Sequence, residues 1–389
     1  MRSRGGGWDP PRVMLVISSL GAGGAERVMS TMANYWAERG WDISLVTLDG
    51  VSTDFYPLDP RVTRIGLSAT AVSRSVHDAW RNNARRIRQL RRAIMEITPH
   101  VVICFTFPTT ILALIAGRAA GIPVIVGERS VPTQLAFSRV WNGLRRATYR
   151  MAASVVVQTP EVGEWIGEFV PRENVRVIPN PVAPPGDARV PRRERGSMVV
   201  AMGRLGPEKA FDDLIRAFAR SRAEDWSLVI LGEGEERDHL VAVARELGVE
   251  SAVRLPGRVH EPTAVLRSAD VFVMSSRFEG FPNSLLEAMA VGLAVIATDC
   301  PFGPRHIIRH DIDGLLVPPG DVDALASAMA DLMTNDARRH ALSNRAVEVL
   351  DRFSLDTVMA DWCRLIGDVL WPSPDPSTFA VAEAERFHV

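Results

Sequence analysis

The chain has 389 residues, 47% hydrophobic and 23% charged, with a formal net charge of −1. That is ordinary for a soluble globular enzyme and long for a single core, so two domains are expected. Three cysteines, Cys104, Cys300 and Cys363, are odd in number and form no C-x-x-C, which argues against a disulfide frame or a zinc site and fits a reducing cytosol.

The small net charge hides an asymmetry. Residues 1–180 carry 22 arginines against 14 acids, whereas residues 181–389 carry 23 basic against 32 acidic groups. A basic half beside an acidic half suggests two units, one of them facing an anionic surface.

In chain order, the opening MRSRGGGWDPP is polar and has no signal-peptide pattern. RVMLVISSL (12–20) reads as a strand, GAGGAE (21–26) as a glycine turn, and Arg27 to Arg39 as a helix. A second strand follows at ISLVTL (43–48). Residues 81–94, RNNARRIRQLRRAI, set Arg81, Arg85, Arg88 and Arg92 at helical spacing, with Ile87, Leu90 and Ile94 between them. Two readings stay open: a solvated helix face, or an interfacial helix on anionic lipid, where each Lys or Arg contributes about 1 kcal/mol. No binding motif or aromatic interleaving accompanies the arginines, so nucleic acid is not an expected partner.

The window VVICFTFPTTILALIAG (101–117) is uncharged, but Pro108 divides it and GIPVIVG follows. Strand, helix, strand accounts for it better than a membrane span of about 20 apolar residues. A further strand at SVVVQT (154–159) ends the first series. After the Pro- and Arg-rich linker NPVAPPGDARVPRRERGS (180–197) the pattern restarts with MVVAMGRL and continues through WSLVILGEG, VRLPGRV, DVFVMSS, LAVIATD and GLLVPPG. Strands alternating with helices imply parallel sheets of βαβ units, with ligands at the strand carboxyl ends in the cleft between lobes. The expected division is 1–180, 181–355, a helix at 356–371 packing back toward the first domain, and a tail at 372–389.

The motifs carry the chemistry. GAGGAE joins a strand to a helix, where a glycine backbone and helix N–H groups suit an anion. It fails the dinucleotide fingerprint G-x-G-x-x-G because Glu26 holds the last position; GEGEER (232–237) fails likewise at Arg237. In SSRFEGFPNSLLEAMAVGLAVIATD (275–299), Glu279 lies in a loop and Glu287 in the first helical turns, with Asn283 and Ser284 as cap candidates. Taken alone, two such carboxylates also suit a glycosidase pair, or a Glu287 that merely complements the helix dipole. Finally, the composition counts one lysine against 44 arginines, and that lysine, Lys209, sits in AMGRLGPEKAFDDLIRAF (201–218). An ammonium is a compact point charge on a flexible stem, unlike a guanidinium.

Together EGFPNSLLEAMAVGLAVIATDCPFGP, MGRLGPEKAFDDLIRAF and GAGGAERV resemble the retaining, nucleotide-sugar-dependent glycosyltransferases of family 4, over roughly residues 12–365. Among these, the bacterial enzymes of lipid-linked glycan, capsule or O-antigen assembly are the most similar. The resemblance implies an α/β GT-B fold, two Rossmann-like parallel-sheet domains facing across a cleft, the first for the acceptor and the second for the nucleotide sugar. It implies that Arg204 and Lys209 grip the donor diphosphate and that Glu287 accepts hydrogen bonds from the ribose. Glu279, with the backbone of Gly280, Phe281 and Asn283 and with Ser284 beside them, would hold the sugar and distal phosphate. Gly23 and Gly24 would bring the first lobe to the same phosphate, and Arg258 and Val259 would lie near the uracil. Arg204, Lys209 and Glu279 would be the catalytic set, with no dedicated enzymic base.

It further implies no cofactor beyond a UDP-linked donor as substrate, a glycan or polyprenyl-linked acceptor, and a cytoplasmic protein peripheral at the inner membrane face. A GT-B epimerase or a non-catalytic sugar-nucleotide-binding protein are the rivals. Two departures from the family pattern stand out. Glu128 and Arg129 occupy the acceptor side in place of a His-Asp or similar histidine, as acceptor ligands or as a structural salt bridge. Ser130 replaces the Asn of an E-R-N run. Metal binding is not expected: DID (311–313) and DVD (321–323) flank turns, and His306 and His310 lack an evident third ligand.

Overall fold

The computed structural model describes residues 10–70, 75–129, 139–186, 197–221 and 225–372. Ser130, most of the expected tail and the middle of the linker fall outside them.

Each apolar run becomes a strand of one of two parallel sheets. The first contains β1 (Arg12–Ile17), β2 (Asp42–Thr47), β3 (Thr63–Gly66), β4 (Val101–Phe105), β5 (Val124–Gly127), β6 (Ser154–Val157) and β7 (Val175–Val177). Its order is β3-β2-β1-β4-β5-β6-β7. The second contains β8 (Met198–Met202), β9 (Ser227–Leu231), β10 (Val253–Gly257), β11 (Val271–Met274), β12 (Ala294–Thr298) and β13 (Leu315–Val317), in the order β10-β9-β8-β11-β12-β13. The central strands are buried on both faces, which is why they read as unbroken Val/Ile/Leu runs rather than alternations. The uncharged window resolves into β4, the helix Thr109–Ala120 and β5.

In both sheets the order reverses beside the first strand, between β1 and β4 and between β8 and β11. Loops leaving strands at such a switch point diverge and open a crevice. The glycine turn follows β1, MGRLGPEK follows β8 and SSRFEGFPN follows β11, so the three motifs meet there by topology.

Helices cover both faces of each sheet. On one side of the first sheet Leu90, Ala93 and Ile94 of the helix Val76–Ile97 join residues of Thr109–Ala120 over Met14, Val16, Val102 and Val126. On the other side the helix Gly24–Glu38 shares its core with the last helix, Leu355–Leu370. That last helix follows the second sheet in sequence, yet Val358, Met359, Trp362, Leu365 and Ile366 are buried against Leu15, Ile17, Met32, Trp36 and Phe105 of the first lobe. Tyr35 donates to Asp356 at 2.9 Å and the Trp36 indole to Cys363 Sγ at 3.4 Å. Two segments therefore pass between lobes, and they touch: the Val182 N–H donates to the Phe353 carbonyl at 2.8 Å, and Val182 bridges Ser354.

Candidate functional site

The cleft between the lobes has a volume of about 1080 Å³. Its lining includes Gly23, Gly24, Arg204, Lys209, Arg258, Val259, Glu279, Gly280, Phe281, Asn283, Ser284 and Glu287, the whole donor-side set read from the sequence.

Lys209 ends a short 3₁₀ turn, Pro207–Lys209, before the helix Phe211–Arg220. Its stem runs beside Gly203, where a Cβ would stand 3.2 Å from Lys209 Cε. Nζ meets Glu279 Oε1 at 2.5 Å, and Ser276 Oγ donates to the same oxygen at 2.6 Å. Ser275 Oγ donates to the Lys209 carbonyl at 2.8 Å, so the loops after β8 and β11 are tied through backbone and side chain. Arg204 is placed differently. It is 59% exposed and paired with Glu208 at 2.7 Å and Glu235 at 3.1 Å. Exposed pairs of this kind contribute about 0–1 kcal/mol, so a phosphate can compete for the guanidinium.

Asn283 and Ser284 do not cap their helix: Pro282 holds the N-cap position, no side chain caps it, and Asn283 is the first helical residue. Proline fixes a suitable φ there, which leaves the Asn283 amide for other work. Asn283 Nδ2 donates to the Gly24 carbonyl at 3.0 Å, across the lobes. Farther along the same helix, Glu287 Oε1 takes Arg27 Nη1 at 2.8 Å, while Oε2 is buried without a hydrogen-bond partner among the described residues. Burial pushes the Glu287 carboxyl up to about 7, against the pull of Arg27.

On the first lobe the helix begins at Gly24 rather than Arg27, because part of the glycine run already forms its first turn. Gly23 precedes it without a capping side chain. A Cβ on Gly23 would stand 2.1 Å from Glu26 Oε2, so the glycine makes room for the Glu26 carboxylate folding back over the helix start. Burial raises the carboxyl of Glu26.

Glu128 and Arg129 face opposite ways, although the Glu128 charge still acts on the Arg129 guanidinium. Successive residues leaving a strand point to opposite faces. Glu128 is buried on the Thr109–Ala120 side, accepts from the Tyr149 hydroxyl at 2.8 Å and stands 3.9 Å from Arg145. It is not among the residues that line the cleft. Arg129 lines the cleft on the other side, its guanidinium 3.9 Å over the Phe105 ring, and donates to Asn180 Oδ1 at 2.5 Å. Burial lowers the Arg129 guanidinium to about 9. Asn180, at the hinge, donates in turn to Asn283 Oδ1 at 2.7 Å and to the Phe281 carbonyl at 3.1 Å. Arg129, Asn180, Asn283 and Gly24 thus form a hydrogen-bonded chain from the first lobe through the hinge to the second lobe and back.

At the far end Arg258 is exposed, and His260, two residues on, stacks on Phe55 of the first lobe with centroids 5.0 Å apart. The glycines of GEGEER serve close packing. A Cβ on Gly232, whose φ is +143°, would stand 1.8 Å from the Gly203 carbonyl, and one on Gly234 would stand 2.3 Å from that of Leu205. His306 pairs with Glu161 across the lobes at 2.8 Å, whereas His310 lies beyond the short helix Pro304–Ile307 and accepts from the Leu316 N–H. Asp321 caps the helix Val322–Thr334 and Asp311 has φ +60° in a turn.

Arg27, Asn180 and Ser276 went unread as site residues. Arg27 carried the faintest of signals, a cation one turn into a helix that opens on the expected anion site.

The chain matches the family Glycosyl transferases group 1 over residues 187–349 and the Glycosyl transferase 4-like domain over residues 23–181. A Campylobacter jejuni undecaprenol-linked-glycan α-1,4-N-acetyl-D-galactosaminyltransferase is 26% identical over 92% of this chain and 99% of its own length. The lipopolysaccharide core biosynthesis glycosyltransferase LpsE of Rhizobium meliloti is 29% identical over 88% of this chain and 96% of its own. An exopolysaccharide phosphotransferase of Streptomyces coelicolor is 31% identical over 75% of this chain, which spans 31% of that protein's length. Among solved structures, Anabaena HepE with UDP and glucose superposes with a TM-score of 0.75 at 18% identity, covering 92% of this chain and 99% of that one.

Proposed function

The chain belongs to the GT-B glycosyltransferases of the family 4 type, and on that footing we propose that it moves a hexose or N-acetylhexosamine from a UDP-sugar, with retention, to a glycan or polyprenyl-diphosphate-linked acceptor. The observation that carries this reading is the convergence of Lys209, Glu279, Glu287 and the Gly23–Gly24 turn on one inter-lobe cleft.

In the reaction the bond from the sugar's anomeric carbon to the diphosphate oxygen breaks, and a bond to the acceptor hydroxyl oxygen forms. Negative charge grows on the leaving diphosphate. Lys209 and the amides near Gly24 and Asn283 are preorganised around that position, so they stabilise the transition state more than the ground state, and the exposed Arg204 joins them by giving up its acid partners. Attack on the face from which the diphosphate departs lets a leaving phosphate oxygen take the hydroxyl proton. Glu279, held by Lys209 and Ser276, orients the sugar. The undecaprenol-linked and lipopolysaccharide-core acceptors named for the relatives support an acceptor of that kind. The experiment is a donor panel of UDP-, GDP- and ADP-sugars with native lipid extract, read by mass spectrometry, with the product anomer assigned by NMR. Turnover with a UDP-hexose or UDP-N-acetylhexosamine is expected; no turnover with any donor overturns the proposal.

Such an acceptor is presented at a membrane. No helix among the described residues is long and apolar enough to cross one. The helix Val76–Ile97 exposes Arg81, Arg85, Arg88 and Arg92, with Trp80 71% exposed beside them. On the other flank of Thr109–Ala120, the helix Arg139–Thr148 leaves Val140 70% exposed. Exposed rings and aliphatics among arginines suit a peripheral contact with anionic lipid. Sedimentation with phosphatidylglycerol vesicles at low salt is expected to pull the protein down. Changing Arg81, Arg85 and Arg88 to serine should weaken that roughly 100-fold, from about 1 kcal/mol per arginine. No binding at low salt removes the membrane contact.

A further inference from the structure

Glu287 uses one carboxylate oxygen and leaves the other idle. Oε1 is held by Arg27 Nη1 at 2.8 Å, and Oε2 is enclosed in the cleft wall with no hydrogen-bond partner among the described residues. The two residues belong to different lobes. Arg27 stands in the first turn of the helix Gly24–Glu38, immediately behind the glycine loop, and Glu287 in the helix Asn283–Ala290. We propose that Arg27 is a positioning residue for nucleotide recognition: it fixes the Glu287 carboxylate across the closed cleft so that the idle oxygen accepts the donor's ribose hydroxyls. Ribose recognition is thereby coupled to lobe closure, since the cation arrives with the first lobe. The inference rests on the reading of Glu287 as the ribose acceptor.

The geometry suits the role. A carboxylate offers about four lone-pair positions, and a one-point ion pair occupies one of them while setting the plane of the group. A bidentate clamp would have consumed both oxygens. The environment makes the cation necessary as well. Burial holds the Glu287 carboxyl up to about 7 with Arg27 in place. Without that charge the group takes up a proton more readily still, and a protonated carboxyl is a weaker acceptor. Among the described residues Arg27 is the charged group acting on Glu287; Tyr56 and Glu26, from the same lobe, share the neighbourhood, the Tyr56 phenol being raised by burial. Because the folded carboxyl titrates above its ordinary value, nucleotide affinity is retained at alkaline pH and lost as pH falls through about 7.

The test is calorimetric titration of the full chain with UDP and with 2′-deoxy-UDP between pH 6 and 9. The wild type is expected to prefer UDP by roughly ten- to a hundredfold, as for a hydrogen bond to a charged group. Arg27→Gln should lose most of that preference at neutral pH and move the acidic loss of UDP affinity to higher pH. Arg27→Lys, which keeps the charge, should recover part of both, and Glu287→Gln should remove the preference at every pH. If Glu287→Gln retains the preference, the ribose role of Glu287 falls and this inference with it. If Glu287→Gln loses it while Arg27→Gln keeps both the preference and the wild-type pH profile, Arg27 is overturned and Glu287 stands. Arg27 is about one-third exposed (35%), so its replacement leaves no buried cavity, and matching melting temperatures check the fold.

Discussion

Replacing Lys209 with alanine is expected to lower the transfer rate by roughly 10²- to 10³-fold, the usual loss when one preorganised partner of a developing anion is removed. The ammonium reaches Glu279 at 2.5 Å along a stem laid beside Gly203, with Ser275 holding its own carbonyl. The slot is narrow: the Lys209 side chain is only 19% exposed. Arginine is longer and planar and would have to displace either Glu279 or the Gly203 backbone, so Lys209→Arg is expected to lose nearly as much as Lys209→Ala. Arg204→Lys, on an exposed side chain between two acids, should change the rate by less than about tenfold, because a mobile cation still reaches a phosphate. Steady-state kinetics with the donor identified by the panel, alongside thermal melting, reads all three variants. An unchanged rate for Lys209→Ala would remove the lysine from the leaving-group site.

The second large effect concerns stability. Trp362→Ala should cost about 3–5 kcal/mol, the range for deleting a large buried aromatic side chain. Trp362 is fully buried, 6.0 Å from Phe105 centre to centre and 5.9 Å from the Arg129 guanidinium. It fastens the last helix to the first lobe. Trp362→Phe should cost much less, since the indole N–H has no hydrogen-bond partner to lose among the described residues. Urea unfolding followed by circular dichroism decides it; equal midpoints for Trp362→Ala and the wild type would mean that the helix is held by other contacts.

Strand positions and the fold class could be read from the sequence because strands buried on both faces are written as uninterrupted apolar runs. The donor motifs were equally plain, since each is a short local segment bound to one strand end. What could not be read were relations between segments. Nothing local to Arg27 points to Glu287, and nothing local to Asn180 points to Asn283; the ion pair and the amide chain exist only once two sheets face each other. Adjacent Glu128 and Arg129 looked like a unit because they touch in sequence, and strand alternation sends them to opposite faces. Asn283 looked like a cap because of its chemistry, but Pro282 already sets the helix start. The glycines of GEGEER fit a phosphate loop on paper, whereas in space they admit the backbone of Gly203 and Leu205.

The route of the last helix has a consequence for how the protein is made. Synthesis delivers the whole first sheet before any of the second, and domains ordinarily fold as they emerge. Here the first lobe cannot finish then, because the groove that receives Met359, Trp362 and Ile366 stays open until the second lobe has been translated. The nascent chain must carry that apolar groove, lined by Leu15, Met32, Trp36 and Phe105, through most of its time on the ribosome. The last element to appear is therefore the one that completes the first, and a message cut short just before Leu355 would yield a second lobe with its own core attached to an unsealed first lobe.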